Sequence, residues 1–510
     1  MTRTIRRAVV IGSGTMGGGI AAHFANAGIP VYLLDVTQAI VTASLERLKK
    51  SKPPAFFTPG TADLVMIGDL TDHDKWISEG DWIIEAIVED LAAKRDLVAR
   101  IDRLRKPGSI VSSNTSGLPI AHIAANASFD FKAHFLGTHF FNPPRYMKLL
   151  EVIPTRETKP EIAAFVSEFA DRRLGKGVVI CKDTPNFIAN RLASITGAML
   201  LDFVLQNGYT VEETDAIVGP VIGRPKTAAF RLQDLVGLDV SSSVQRNLYG
   251  LIPNDESREV LRSARVEALR KDQMDRGRLG DKTGQGYYKK GGLSILTLDL
   301  QTHEYRSRIE PDIPSIAEAN KIKSLAERLK FVLKQDDKAG ALARHVVYHS
   351  LGYAARRIPE ITDDIANVDR AMRWGFSHEM GPFELWEALG VRATAEEMKK
   401  YGVDVPQWVL GKDRFYERTI APVRERDNRI LFLESIDTAG IVKAVDELER
   451  GVWVAMVISG DGADFSAAAS PSDGFAVFQD ALQRVRFASK PIVAAIFGRT
   501  LGRGAQLAMA

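Results

Sequence analysis

Four apolar residues, Ala8-Val9-Val10-Ile11, run directly into Gly12-Ser13-Gly14-Thr15-Met16-Gly17. The apolar run reads as a buried strand, and the glycines open a helix that the pattern carries to Ala27. Gly28 supplies a C-cap, Pro30 stops the helix, and Val31 to Leu34 is the next strand. This strand, glycine turn, helix and strand is the context a dinucleotide fingerprint requires. Gly12 allows the tight turn, Gly14 lets the backbone approach a pyrophosphate, and Gly17 permits close packing of helix on strand. Asp35 ends the second strand, 23 residues after Gly12. A carboxylate there suits the hydroxyls of an adenosine ribose and repels a 2′-phosphate, so the expected cofactor is NAD. The competing reading, a glycine-rich turn with a surface aspartate, does not explain the ordered strand, helix and acid.

The same rhythm continues. Trp82 to Ile87, Ile110 to Ser113, Gly137 to Phe141, Leu149 to Ile153 and Val178 to Cys181 read as further strands. Strands alternating with helical patterns predict an α/β fold with a mostly parallel, doubly wound sheet. At Asp183-Thr184-Pro185 the texture changes to long helical patterns such as Phe187 to Asn207. The expected division is therefore 1–183 for dinucleotide binding and 184–290 for an all-α domain. Residues 291–335 read as a connector, 336–425 as a second helical module, and 426–510 as α/β again.

The second module rests on an internal repeat. Asp215 leads to Phe230 after 15 residues, and Asp369 leads to Phe383 after 14. In both copies an acid follows the Phe by four residues and a glycine by seven (Asp234 and Gly237, Glu387 and Gly390). The chain stops at Ala510 inside a helix expected from about Gly504, which predicts a fragment of a longer protein.

Composition narrows the function classes. Lys plus Arg is 67 against 64 Asp plus Glu, a net charge of +3. That balance argues against a dedicated nucleic-acid or anionic-membrane binder. No apolar stretch is long enough for a membrane span, and the N-terminus lacks the pattern of a signal peptide. The one cysteine, Cys181, excludes an internal disulfide framework and a multi-Cys zinc site and suits a reducing, cytoplasmic setting.

A second constellation comprises Ser116, His139, Glu151 and Asn190. Ser116 and His139 follow strands, where open α/β sheets place their ligands. Glu151 lies in the apolar run Leu149-Leu150-Glu151-Val152-Ile153, where a carboxylate needs a partner. A histidine with a buried carboxylate partner makes a general base. Each residue alone also has a plain reading: a turn hydroxyl, a core histidine, a strand acid and a helix-packing amide.

Together with the glycine motif, these residues resemble the NAD-dependent L-3-hydroxyacyl-CoA dehydrogenases of fatty-acid β-oxidation. The likeness is carried by Gly12 to Ala21, Glu85-Ala86-Ile87-Val88-Glu89, Ser113 to Ser116, His139 to Pro143, Met147 to Glu151, Lys182 to Arg191 and Lys282 to Tyr288. It implies oxidation of (S)-3-hydroxyacyl-CoA, with His139 as base paired to Glu151 and with Ser116 and Asn190 on the substrate's 3-oxygen. It further implies Glu89, Lys94 and Asn142 along the nicotinamide and ribose, and Met16 and Asp35 nearer the adenosine. With the base and the oxygen ligands assigned, no metal is needed. The repeat at 369–390 resembles the second C-terminal module of multifunctional β-oxidation enzymes. The resemblance also implies a homodimer or association with a thiolase.

Asp464 to Ala469 and Lys490 to Ala510 resemble a truncated crotonase, the enoyl-CoA hydratase fold. There Ala468 and Arg503 depart from the glycine pattern, and Gln506 stands where hydratases carry a glutamate, so hydratase activity is not expected. Two rival readings are a 6-phosphogluconate or 3-hydroxyisobutyrate type dehydrogenase, which would use a lysine base, and a non-catalytic NAD-binding protein.

Overall fold

The computed structural model describes residues 3–292 and 294–416, with 430–433, 445, 455–459 and 492–495. The chain divides into two compact units, 1–415 and 416–510.

The first unit is built on an eight-stranded sheet. Its strands are β1 (Ala8–Ile11), β2 (Val31–Asp35), β3 (Val65–Asp69), β4 (Trp82–Glu85), β5 (Ile110–Ser113), β6 (Phe135–Phe140), β7 (Leu149–Pro154) and β8 (Gly177–Ile180). They lie in the order β3-β2-β1-β4-β5-β6-β7-β8. All pairings are parallel except β6 with β7. The strand order reverses between β1 and β4, which opens a crevice at the carboxyl ends of those strands. The helix Thr15–Asn26 starts there, and its Phe24 packs edge-on against Trp82 with ring centroids 5.3 Å apart.

The edge strand β3 escaped the sequence reading. Only Val65 and Gly68 of its five residues are buried, so it lacks the apolar run that marks β1 or β4.

The expected helix start at Asp183-Thr184-Pro185 is corrected. Asp183 instead accepts the Ile120 and Ala121 backbone N–H groups at 2.6 and 2.8 Å, capping a different helix. Asn186 and Phe187 have φ of 60° and 52°, so the chain cannot be helical there. The helix runs Ala189–Gln206, and the carboxylate over its first turn comes from Glu151.

The two copies of the repeat have matching hydrogen bonds. Asp215 accepts the N–H groups of Ala229, Phe230 and Arg231, at the start of the helix Phe230–Val236. Asp369 accepts those of Phe383 and Glu384, at the start of Pro382–Leu389. The acid four residues after each Phe takes a distant backbone N–H: Tyr287 and Tyr288 on Asp234, Phe415 on Glu387. Gly237 and Gly390, at φ of 97° and 100°, each join two helices through a backbone conformation that favours glycine. Buried Arg191 ties the modules together, donating to Tyr353 at 2.8 Å and to Asp255 at 2.6 Å.

Residues 291–335 are not a bare connector. Tyr288–Gly291, Ser294–Leu298 and Tyr305–Ser307 form an antiparallel three-stranded sheet, followed by helices Pro314–Ala319 and Leu325–Val332. The strands are too short to show a period, and the first is pinned by Asp234, far away in sequence.

In the second unit Ile430–Leu433, Ala455–Ser459 and Ile492–Ala495 pair in parallel in that order. The crotonase-like features at 464–469, Arg503 and Gln506 lie outside the described residues.

Candidate active site

β6 and β7 run antiparallel with His139 directly opposite Glu151. This register brings His139 Nδ1 within 2.7 Å of Glu151 Oε2. The other oxygen, Oε1, accepts the N–H groups of Ile188 at 3.2 Å and Ala189 at 2.8 Å. Glu151 is fully buried, and His139 nearly so. An ionised carboxylate only accepts, so the ring proton lies on Nδ1 and the Nε2 lone pair is left free. The rings of Phe141 and Phe187 flank the imidazole, with centroids at 4.5 and 5.7 Å. Cys181 lies against the same carboxylate; burial and then that charge push its thiol well up, so it stays protonated.

The imidazole opens into a cavity of about 370 Å³. Ser116, Asn142 and Asn190 share its lining, so the structure brings the expected catalytic set together. Asn190 is the second residue of the helix Ala189–Gln206. Met16, expected towards the adenosine, also lines this cavity and not the cleft beside Asp35. It is the second residue of the helix Thr15–Asn26, directly after the glycine turn that lines the cofactor cleft.

The cofactor cleft, about 610 Å³, is lined by Gly12, Gly14, Asp35 and Ile87 among others. A Cβ on Gly12 would stand 2.4 Å from the Ala86 carbonyl oxygen, and one on Gly17 would stand 1.8 Å from that of Gly12. A Cβ on Gly14 would meet nothing within 4 Å, so that backbone faces open space. Asp35 is held at the rim by Ser13 N and Oγ, both at 2.6 Å, and by Val36 N at 2.7 Å. A bare, amide-rich turn with a fixed carboxylate at the strand end fits NAD.

Lys94 is not among the residues lining the cleft beside Asp35. It is 1% exposed, with Nζ 2.7 Å from Glu85 and 3.3 Å from Glu89. A buried ammonium needs such compensation, and the pair fixes the turn after β4. Exposed Glu89 caps the Ser116 turn, accepting from Ser116 N at 2.9 Å and Gly117 N at 3.1 Å. Asn142 is exposed at the cavity mouth.

Three positioning residues escaped the sequence reading. Glu85 holds Lys94. Asn114 accepts Phe140 N at 2.9 Å, tying β5 to the strand of His139. Lys176 donates to the carbonyls of Pro144 and Met147, securing the turn after Asn142, and burial pushes its ammonium down to about 8. A charged residue inside an apolar segment was the available signal for Glu85. The other two act through backbone contacts that no local pattern shows.

Residues 7–184 match the family described as 3-hydroxyacyl-CoA dehydrogenase, NAD binding domain, and 187–290 match its C-terminal domain. A probable 3-hydroxyacyl-CoA dehydrogenase of Bacillus subtilis is 37% identical over 99% of this chain and 75% of its own length. The chain belongs to the 3-hydroxyacyl-CoA dehydrogenase family. As a member of that family it is an NAD-binding oxidoreductase. A putative fatty acid oxidation complex trifunctional enzyme of Rickettsia felis is 34% identical over 81% of this chain and 58% of its own length. The crystal structure of 3-hydroxybutyryl-CoA dehydrogenase from Escherichia coli shares the fold, with a TM-score of 0.59 at 23% identity over 80% of this chain and 98% of that one. Among the described residues of this family member, no helix is long and apolar enough to cross a membrane.

Proposed function

We propose that the chain oxidises the 3-hydroxyl of an (S)-3-hydroxyacyl-CoA to the 3-oxo group, with His139 as the base. The observation that carries this is the His139–Glu151 pair opening into the same cavity as Ser116 and Asn190. NAD, when bound, supplies the hydride acceptor. His139 Nε2 takes the hydroxyl proton, and Glu151 stabilises the imidazolium that results. The Ser116 hydroxyl and Asn190 amide, both on the cavity wall, hold the reacting oxygen and fix its orientation. Phe141 and Phe187 keep water from the ring.

The lysine-base alternative lacks support, because the described lining of the cavity at His139 contains no lysine, and Lys94 is held by Glu85 and Glu89. The same proposal assigns 1–183 to cofactor binding, 184–290 to the acyl chain, and 336–425 to a second copy of the helical module. A cytoplasmic setting and a homodimer or thiolase partner belong to it as well.

The test is NADH oxidation followed at 340 nm with acetoacetyl-CoA and longer 3-oxoacyl-CoAs (an assay wavelength of about that value reports reduced nicotinamide). No turnover above background with any chain length overturns the proposal.

A further inference from the structure

The cavity beyond His139 has an unbalanced charge. Its described lining contains Arg224 and Arg270 and no aspartate or glutamate. Arg270 is satisfied in part by the Gln245 side-chain oxygen. Arg224 has less. Its one side-chain hydrogen bond is a long one, 3.5 Å to the Ser350 hydroxyl. Among the described residues no carboxylate lies within ion-pair distance of it.

Its surroundings are apolar. Arg224 lines both the main cavity and a smaller pocket of about 50 Å³ at the seam of the two helical modules. Thr196, Met372 and His378 line both spaces with it. Among the described residues that line both spaces, the other titratable cation, His378, is pushed down to about 3 by burial and by Arg224, so it is neutral at pH 7. Burial also lowers the Arg224 guanidinium, to about 10, which leaves it charged at pH 7.

The position along the cavity is set by the helix Ala189–Gln206. Asn190 marks the reacting end. Thr196, beside Arg224, lies six residues further, about 9 Å along the axis. Sharing both spaces with Thr196, Arg224 is taken, on the dehydrogenase reading, to lie on the side of the cavity towards which the acyl chain extends from the 3-oxygen. A methyl-ended chain would leave this cation desolvated and unpaired, at a cost. An anionic group there would pair with it, through as many as two parallel hydrogen bonds.

We propose that Arg224 receives a carboxylate at the far end of the acyl chain, so that the cavity takes 3-hydroxyacyl thioesters of dicarboxylic acids. The proposal rests on the dehydrogenase reading above and deepens it. The shared chemistry, an anion on a half-buried, unpaired guanidinium, has a second source in the CoA phosphates, and the test separates the two.

The experiment is calorimetric binding to the NADH-loaded protein. Adipoyl-, suberoyl- and sebacoyl-CoA are compared with hexanoyl-, octanoyl- and decanoyl-CoA. None carries a 3-hydroxyl, so the readout does not depend on turnover. At the best-fitting length the carboxylate-ended ligand should bind about 10- to 100-fold more tightly, the worth of one charged hydrogen-bonded pair. Arg224→Met should abolish that preference and leave the methyl-ended ligands as tight or tighter. Its melting temperature should not fall, because a half-buried cation without an ion-pair partner among the described residues has been removed. If Arg224→Met does not fold, Arg224→Gln carries the same comparison.

Equal binding of both series at all three lengths overturns the proposal. So does an equal loss for both series in the variant, which would place a CoA phosphate on Arg224. NADH formation from 3-hydroxybutyryl-CoA, run separately, reports on the dehydrogenase reading alone.

Discussion

Replacing Glu151 with Gln tests the wiring of the base. The carboxylate accepts three hydrogen bonds, from His139 Nδ1 at 2.7 Å and from Ile188 and Ala189 N at 3.2 and 2.8 Å. An amide has one accepting oxygen and a donating nitrogen. Turned one way, its NH₂ faces the two helix N–H groups, and donor meets donor in a buried site. Turned the other way, the oxygen serves the helix and the NH₂ faces His139. The imidazole must then accept at Nδ1 and carry its proton on Nε2, which removes the base from the substrate side. Two buried N–H groups left without an acceptor cost about 2–6 kcal/mol, so the second orientation wins. A comparable wrong-tautomer defect in a serine protease triad lowers kcat about 10⁴-fold. Glu151→Gln should therefore lose about 10³- to 10⁴-fold in kcat while NADH binding, read by fluorescence, stays near wild type. Nitrogen-15 NMR of the imidazole reads the tautomer directly. A folded variant with kcat within tenfold of wild type, or with its proton still on Nδ1, refutes the reasoning.

His139→Ala should retain NADH affinity and lose about 10²- to 10⁴-fold in kcat; retention of half the wild-type kcat would place the base elsewhere. Asp35→Ser should narrow the preference for NAD over NADP, measured as the ratio of kcat/KM values; an unchanged ratio means that other groups read the ribose. Asp369→Ala removes the acceptor for Phe383 and Glu384 N and should lower stability by about 1–2 kcal/mol in urea unfolding; no change in midpoint excludes a capping role. His378 has its folded value lowered from 6.5 to about 3. Its contribution is present above pH 6.5 and is lost as pH falls towards 3, by up to about 1.4 kcal/mol per pH unit. His378→Gln should flatten that slope between pH 6 and 4, and parallel stability curves would rule the effect out.

The glycine turn, Asp35 and the His139–Glu151 pair were legible because each lies on or beside a short, strongly apolar strand. The repeat was legible because its Asp, Phe and Gly keep their spacing. Their roles were less so. That Asp215 and Asp369 cap helices 14 or more residues away follows only from the fold. The start of the helix Ala189–Gln206 was misread for the same reason: its carboxylate comes from β7, while the local candidate, Asp183, serves residues some 60 positions earlier. That Lys94 folds back onto the strand carboxylate Glu85 was not legible, because a sequence does not show where a long cationic side chain turns. In the edge strand β3 only two of the five residues are buried, and periodicity fades there. The small sheet at 288–307 is held by a distant acid, and its strands are too short to advertise themselves.

Met372 and Phe376, in the helix Ile365–Phe376, and His378 just beyond it help to wall the substrate cavity. The residues matched to the two family domains end at 290. The second helical copy thus shapes the space in which the first copy works, some 80 positions beyond that limit. On the proposed dehydrogenase reading, substitutions at Met372, Phe376 or His378 should change which acyl chains fit, and kcat/KM across a chain-length series checks this. A survey of natural variants confined to residues 7–290 would overlook one wall of the pocket it sets out to explain.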